Sequence, residues 1–143
     1  MIQSDRKGVY ILIETVISPR VSETDGVGHI NNTTIPIWFE AGRNEIFKMF
    51  NSDLGFEDWR CIILNMNVDY LKQIYYGKDV TVRTHVDKIG NSSFTLYEEM
   101  FQDGELCAKG NAVYVNFNRK KQASEPIPDE IRNQLEEHLI RDK

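Results

Sequence analysis

The chain of 143 residues predicts an α+β fold: an antiparallel sheet wrapped around one long helix, with a second helix at the C-terminus. Three observations predict it. Apolar and polar residues alternate with a period of two through most of the second half, as strands with one buried face require. Between residues 35 and 50 the apolar positions recur instead at helical spacing. The strand-like runs are joined by short polar turns, which suit antiparallel neighbours rather than parallel crossovers.

Taken in order, Val9 to Ile17 is β-branched and apolar on both parities, the pattern of a strand covered on both sides, and Ser18-Pro19-Arg20 ends it. A polar, glycine-containing loop follows, Thr24-Asp25-Gly26-Val27-Gly28-His29-Ile30-Asn31-Asn32. From Ile35, the residues Trp38, Phe39, Gly42, Ile46, Met49 and Phe50 make one broad buried face, so a long core helix is expected to start near Thr33. Asn51-Ser52-Asp53-Leu54-Gly55 supplies its stop signals.

Ile62, Leu64, Met66, Val68 and Tyr70 then alternate with Ile63, Asn65, Asn67 and Asp69 as a strand. Tyr76-Gly77-Lys78-Asp79 turns the chain into a second, in which Val80, Val82, Thr84 and Val86 share a face. Ile89-Gly90-Asn91 is the next turn, and Ser93 to Phe101 the next strand. Gln102-Asp103-Gly104-Glu105 is a tight hairpin signal before a long strand from Leu106 to Phe117, broken by Arg119-Lys120-Lys121. Pro126-Ile127-Pro128-Asp129 opens an amphipathic helix marked by Ile131, Leu135 and Leu139. One helix leaves a sheet edge or face uncovered, so pairing with a second copy is expected, as a homodimer or homotetramer.

Composition narrows the function. The length and the 41% apolar content fit a single domain over residues 1–143. A net charge of -5 disfavours nucleic acid and anionic membrane as general partners. The polar lead Met1 to Lys7 has no signal-peptide core, and no apolar run approaches the roughly 20 residues that span a bilayer, so a cytoplasmic location is expected. Cys61 and Cys107 stand far apart in strand-like runs and read as buried reduced thiols. His29, His85 and His138 lack metal-ligand spacing, so no metal is expected, and no dinucleotide or phosphate-loop fingerprint points to a cofactor. A serine hydrolase is disfavoured because the Gly-x-Ser-x-Gly elbow is missing.

The informative stretch is the loop from Thr24 to Asn32. It sets a carboxylate, an imidazole and unpaired backbone amides at one helix mouth, where an oxygen that becomes negative during a reaction is stabilised. Together with Trp38-Phe39-Glu40-Ala41-Gly42-Arg43, Asp69-Tyr70-Leu71, Tyr76 to Val80, Ile89 to Phe94 and Asp103 to Leu106, this loop resembles the hotdog-fold acyl-CoA thioesterases of the 4-hydroxybenzoyl-CoA thioesterase and YbgC type. The resemblance covers nearly the whole chain and implies hydrolysis of an acyl thioester, carried by CoA or acyl carrier protein, to free acid and thiol. The chain departs from the family pattern where Ile35 replaces a common tyrosine and Pro36 follows it, which bears on the shape of the acyl pocket.

The resemblance implies Asp25 as general base or nucleophile, whereas an aspartate in Thr-Asp-Gly read alone stabilises a turn. His29 either assists the reaction or fixes the loop. Asn31 and Asn32 are open between helix capping and, by resemblance, an oxyanion site whose donor is the backbone N–H near Asn32. Glu40 is a lesser catalytic candidate, since another hotdog branch draws its glutamate from this helix; an ion pair with Arg43, three residues on, is the simpler role. Asn91, Ser92 and Ser93 either line a pantetheine tunnel or build a turn, and Arg119-Lys120-Lys121 either meets CoA phosphates or is solvated. Trp38, Phe39, Phe47, Tyr70 and Phe94 fit core and substrate contact equally well. The alternatives to a thioesterase are a hotdog enoyl-thioester hydratase or dehydratase, and a noncatalytic acyl-thioester-binding protein. The hydratase pattern Asp-x-Asn-Pro-x-His has one more residue between its ends than Asp25 to His29 and a proline missing here.

Overall fold

The structure, a computed structural model, describes residues 2–5 and 8–140. Of the polar lead discussed above, Met1, Arg6 and Lys7 lie outside the described residues. The elements are β1 (Ile2–Asp5), β2 (Gly8–Ile11), β3 (Ile13–Ile17), α1 (Thr34–Ala41), α2 (Asn44–Phe50), β4 (Cys61–Tyr70), β5 (Val80–Ile89), β6 (Ser93–Gln102), β7 (Glu105–Asn118), β8 (Ala123–Ser124) and α3 (Asp129–Glu136). The main sheet runs β3-β5-β6-β7-β4, every pair antiparallel, with β8 on the end of β7. β4 therefore pairs with β7 rather than with its sequence neighbour β5, and its outer edge has no strand against it among the described residues.

The expected turns hold where local chemistry dictates them. Asp103 and Gly104 both have positive φ, 53° and 73°, the backbone of a two-residue hairpin whose twist matches that of its strands. Val80, Val82, Thr84 and Val86 are fully buried, as their shared parity requires. In α3 Leu135 is buried and Ile131 packs beside it; the helix ends at Glu136, so Leu139 reaches the core from beyond it, bridged to Val86 of β5.

Three expectations change. The run from Val9 to Ile17 is two strands: Ile11 pairs with Ile2 in a two-stranded ribbon, and Ile13 pairs with Thr84 in the main sheet. The alternation of β4 is interrupted by a bulge at Leu64, between Ile63 and Asn65, which leaves Leu64 62% exposed instead of sharing a buried face with Met66. The long helix is also split into α1 and α2 at Gly42-Arg43.

That split has a packing cause. A Cβ on Gly42 would lie 2.8 Å from Val82 Cγ1 and 2.9 Å from Thr84 Oγ1, so only glycine lets the backbone come this close to the sheet. The Thr84 hydroxyl shares its one proton between the Gly42 carbonyl at 3.0 Å and Glu98 Oε2 at 2.8 Å, drawing that carbonyl away from the helical ladder. Arg43 is 1% exposed; its Nε donates to Glu98 Oε1 at 2.7 Å and its Nη1 to the Tyr114 hydroxyl at 2.9 Å. The expected Glu40–Arg43 pair is thus replaced by a buried one, because Arg43 turns inward at the break. Two apolar clusters meet there, one around Ile35, Trp38, Phe39 and Met100, the other around Ile46, Phe94, Tyr114 and Leu135.

Close backbone approach recurs at Gly110 on β7, where a Cβ would fall 2.1 Å from the Asn67 carbonyl oxygen of β4. No rotamer relieves a clash with backbone. We expect Gly110→Ala to lower stability by about 3 kcal/mol, the upper range of overpacking costs, seen as a lower urea midpoint at constant slope.

On the opposite sheet face, His85 is 6% exposed and stacks between Tyr10 and Tyr97. Its Nε2 faces Glu99 Oε1 at 3.0 Å and so carries the proton, leaving Nδ1 to accept from the Tyr10 hydroxyl. Burial pulls the imidazole below its ordinary value, against the opposing pull of Glu99. The linked stability is present above the unfolded histidine value of about 6.5 and is lost as pH falls through the folded one. In urea melts, the wild type is expected to lose more stability from pH 7.5 to 5.5 than His85→Gln does.

Candidate active site

The loop between β3 and α1 is closed by its own backbone. Asp25 N–H donates to the His29 carbonyl at 2.8 Å, and Asn31 N–H donates to the Glu23 carbonyl at 2.8 Å. Gly26 and Gly28 sit at φ 95° and 89° with open space where a Cβ would be, so glycine is required there for backbone conformation rather than for room. Two further bonds fix the loop to the segment before β5: Ile30 N–H to the Ile74 carbonyl, and Tyr76 N–H to the Gly28 carbonyl. The Gln102 side chain holds that segment in turn, accepting from Tyr75 N–H and donating to the Tyr75 and Lys78 carbonyls.

Within this frame Asp25 Oδ1 accepts the Val27 N–H at 3.1 Å, the turn bond that residue type favours. Its second oxygen lies 3.6 Å from His29 Nδ1, too long for a hydrogen bond but within ion-pair range. Both side chains are about a third exposed, so the pair is open to a ligand. The His29 ring meets the Tyr75 ring edge-on at 5.1 Å, which sets the imidazole's direction.

At the helix mouth the two asparagines separate in role. Asn31 Oδ1 accepts from both the N–H and the hydroxyl of Thr33, at 3.0 and 2.9 Å, and so organises the first turn. Asn32 takes the Tyr70 hydroxyl on its carbonyl at 3.0 Å, while none of the described residues accepts its N–H. Because α1 starts at Thr34, Pro36 falls in the first turn, where a missing N–H breaks no helical bond and the mouth stays regular.

Beside Asn32 opens a cavity of about 460 Å³ walled by Ile30, Ile35, Tyr70, Leu71, Ile74, Cys107 and Ala108, among others. Glu40 faces a second cavity, about 440 Å³, nearer the far end of α1 beside Ile37, Phe56, Trp59 and Tyr114. Of the aromatic candidates, Tyr70 reaches the first cavity and Phe47 the second; Trp38, Phe39 and Phe94 belong to the core. Cys61 and Cys107 are free thiols, and burial pushes Cys61 up to about 12.

Asn91, Ser92 and Ser93 lie elsewhere. Their carbonyls accept from Ile127, Asn116 and Gly90, which makes them the β5–β6 turn. Ser93 and Gln102 are the two ends of β6, about 30 Å apart at strand rise, and Gln102 is the end that touches the loop segment. Arg119-Lys120-Lys121 follows β7 at the same far end; the Arg119 guanidinium donates to the Phe56 and Glu57 carbonyls, and Lys121 Nζ lies 3.7 Å from Glu125. The sequence offered no local signal for Ile74, Cys107 and Ala108 as cavity walls, since they come from two segments that meet only in the fold.

Among the described residues no three His, Cys, Asp or Glu side chains gather to hold a metal, and no helix is long and apolar enough to cross a membrane. A curled antiparallel sheet around a helix, with a carboxylate loop at the helix mouth, has the form of the hotdog enzymes that cleave thioesters. The chain belongs to the thioesterase-like superfamily, whose family model matches residues 19–135. It is 31% identical over 120 residues to YsmA of Bacillus subtilis, covering 83% of this chain and 82% of that one. Its fold is similar to that of a predicted thioesterase from Bacillus stearothermophilus, with a TM-score of 0.90, 60% identity, and coverage of 93% of this chain and 100% of the other. A thioesterase of Thermus thermophilus, crystallised with coenzyme A and zinc, superposes with a TM-score of 0.76 at 28% identity over 85% of this chain and 95% of that one. The protein is accordingly a thioester hydrolase in class.

Proposed function

We propose that the chain hydrolyses acyl-CoA thioesters to free acid and CoA, with the Asp25 carboxylate as the reacting group. Either a carboxylate oxygen attacks the thioester carbonyl and expels the CoA thiolate, leaving an acyl–Asp25 anhydride that water then cleaves to free acid and carboxylate, or the carboxylate takes a proton from a water that attacks the carbonyl and expels the thiolate directly. Both routes put negative charge on the carbonyl oxygen. The observation that carries this reading is the Asn32 N–H: it has no acceptor among the described residues and stands at the mouth of α1, on the closed loop that bears Asp25. A donor aimed where charge develops is worth about 3 kcal/mol of barrier. His29 lies close enough to Asp25 to orient water or protonate the departing thiolate.

The CoA arm is best met across a subunit interface. Asn91 to Ser93 and Arg119 to Lys121 lie at the sheet end remote from Asp25, a full length of β6 from Gln102 and the segment that holds the loop. A second copy docked along the open edge of β4 would bring the two ends together, and exposed Ile37, Phe56, Ile63 and Leu64 give that side an apolar covering to bury. Release of free CoA thiol by the wild type and by Asp25→Asn tests the assignment, with light scattering to count subunits. Equal hydrolysis by both proteins would overturn it.

A further inference from the structure

The cavity beside Asn32 has a sharply divided lining. Its deep side is made by Ile30, Ile35, Ile74, Cys107 and Ala108, each 5% exposed or less: Ile35 comes from α1, Cys107 and Ala108 from β7, Ile30 from the loop before α1, and Ile74 from the segment before β5. Its polar members, Asn32, Lys72 and Gln73, come from the loop and from the chain just beyond β4. Lys72 is already paired with Glu105 at 3.0 Å. Tyr70 and Leu71, 52% and 48% exposed, complete the outer rim, and the Tyr70 hydroxyl is already donated to the Asn32 carbonyl. The deep side itself offers no amide, carboxylate or cation to recognise a polar acyl substituent, and the Tyr70 ring stands at the rim rather than where the far end of an acyl group would lie.

We propose that this cavity is the acyl pocket and that it selects unbranched aliphatic acyl groups of medium length over aromatic or polar ones. This rests on the thioesterase reading above. With a thioester carbonyl at the Asn32 N–H, the acyl chain enters the cavity directly, and Ile35 and Ala108 set the space left for it. A volume of about 460 Å³ holds roughly 15 groups of about 30 Å³ each. The thioester and the adjoining cysteamine take about a third of these, which leaves room for about eight to ten carbons.

The test is kcat/KM across straight-chain acyl-CoAs from two to sixteen carbons, with benzoyl-CoA and a dicarboxylic acyl-CoA alongside. Each buried methylene is expected to raise kcat/KM about fourfold until the cavity fills near eight to ten carbons, with no gain beyond. Ala108→Leu shortens the optimum and Ile35→Ala lengthens it; the pair moves in opposite directions, so one variant suffices if the other does not fold. Asp25-dependent hydrolysis that is indifferent to chain length, or best with the aromatic or dicarboxylic substrate, overturns the pocket assignment alone. Wild-type protein that hydrolyses none of these, or no better than Asp25→Asn, overturns the thioesterase reading and the pocket with it.

Discussion

Asp25→Asn is expected to lower acyl-CoA turnover by about a thousandfold, the middle of the range for losing a positioned acid, base or nucleophile, while the fold stays intact. The two parts of this outcome have separate causes. An amide oxygen at the position of Asp25 Oδ1 still accepts the Val27 N–H, so the turn that shapes the loop keeps its bond. The side chain is about a third exposed, and substitutions of that kind change stability by about 0.5 kcal/mol or less. The amide neither attacks a thioester nor takes a proton from water. Loss of kcat with KM little changed, alongside an unaltered melting temperature, would place the defect in the chemical step. A variant that retains turnover would return Asp25 to the structural role that its turn bond alone suggests.

The largest effect on stability is expected at Arg43→Met. Glu98 is 2% exposed, with Oε1 on Arg43 and Oε2 on the Thr84 hydroxyl at 2.8 Å. Removing the guanidinium leaves a buried carboxylate without its charge partner, at a cost of about 3 to 5 kcal/mol. For a domain of this size that corresponds to a melting temperature lower by about 10 °C. Tyr114 also loses the donor to its hydroxyl, and with it the tie between the helix break and β7.

The pH dependence of this variant is diagnostic. In the wild type, burial raises Glu98 to about 7, and Arg43 and Thr84 restrain it from going higher. A carboxyl raised in the folded state contributes stability fully present below its unfolded value of about 4.3, and that contribution is lost as pH rises through the folded value. Without Arg43 the folded value moves up further, so Arg43→Met is expected to lose more stability than wild type between pH 5 and pH 8. The double variant Arg43→Met, Glu98→Leu should recover part of the loss, because no charge then stays buried. Equal urea midpoints at both pH values for wild type and Arg43→Met would show that Glu98 is not the group responsible.

What could be read from the chain alone follows from which properties are local. Parity on β5 and β6, the Asp103-Gly104 hairpin, the helical spacing around Trp38 and Ile46, and the glycine turn that starts at Asp25 are each fixed by neighbouring residues and backbone dihedrals. Those features were legible without coordinates. The family motif also pointed to Asp25 and to the mouth of α1, because both lie within one short segment.

Tertiary structure decided whatever depends on partners distant in sequence. Arg43 finds Glu98 and Tyr114 rather than Glu40, since inward burial at a helix break opens a choice that residue spacing does not encode. Gly42 breaks the helix because of side chains on β5, and the bulge at Leu64 leaves exposed a residue that strict alternation would bury. The two asparagines of one motif divide likewise: Asn31 binds Thr33 locally, whereas Asn32 meets Tyr70 from the end of β4. Strand order also decided where the β5–β6 turn falls: Asn91 to Ser93, open in the sequence between lining a tunnel and building a turn, stand at one end of β6, and Gln102, which holds the segment bonded to the loop, stands at the other. Dihedral preference acts between neighbours and is written in the sequence; which surfaces then touch is settled only when the whole chain packs and each buried polar group must find a partner.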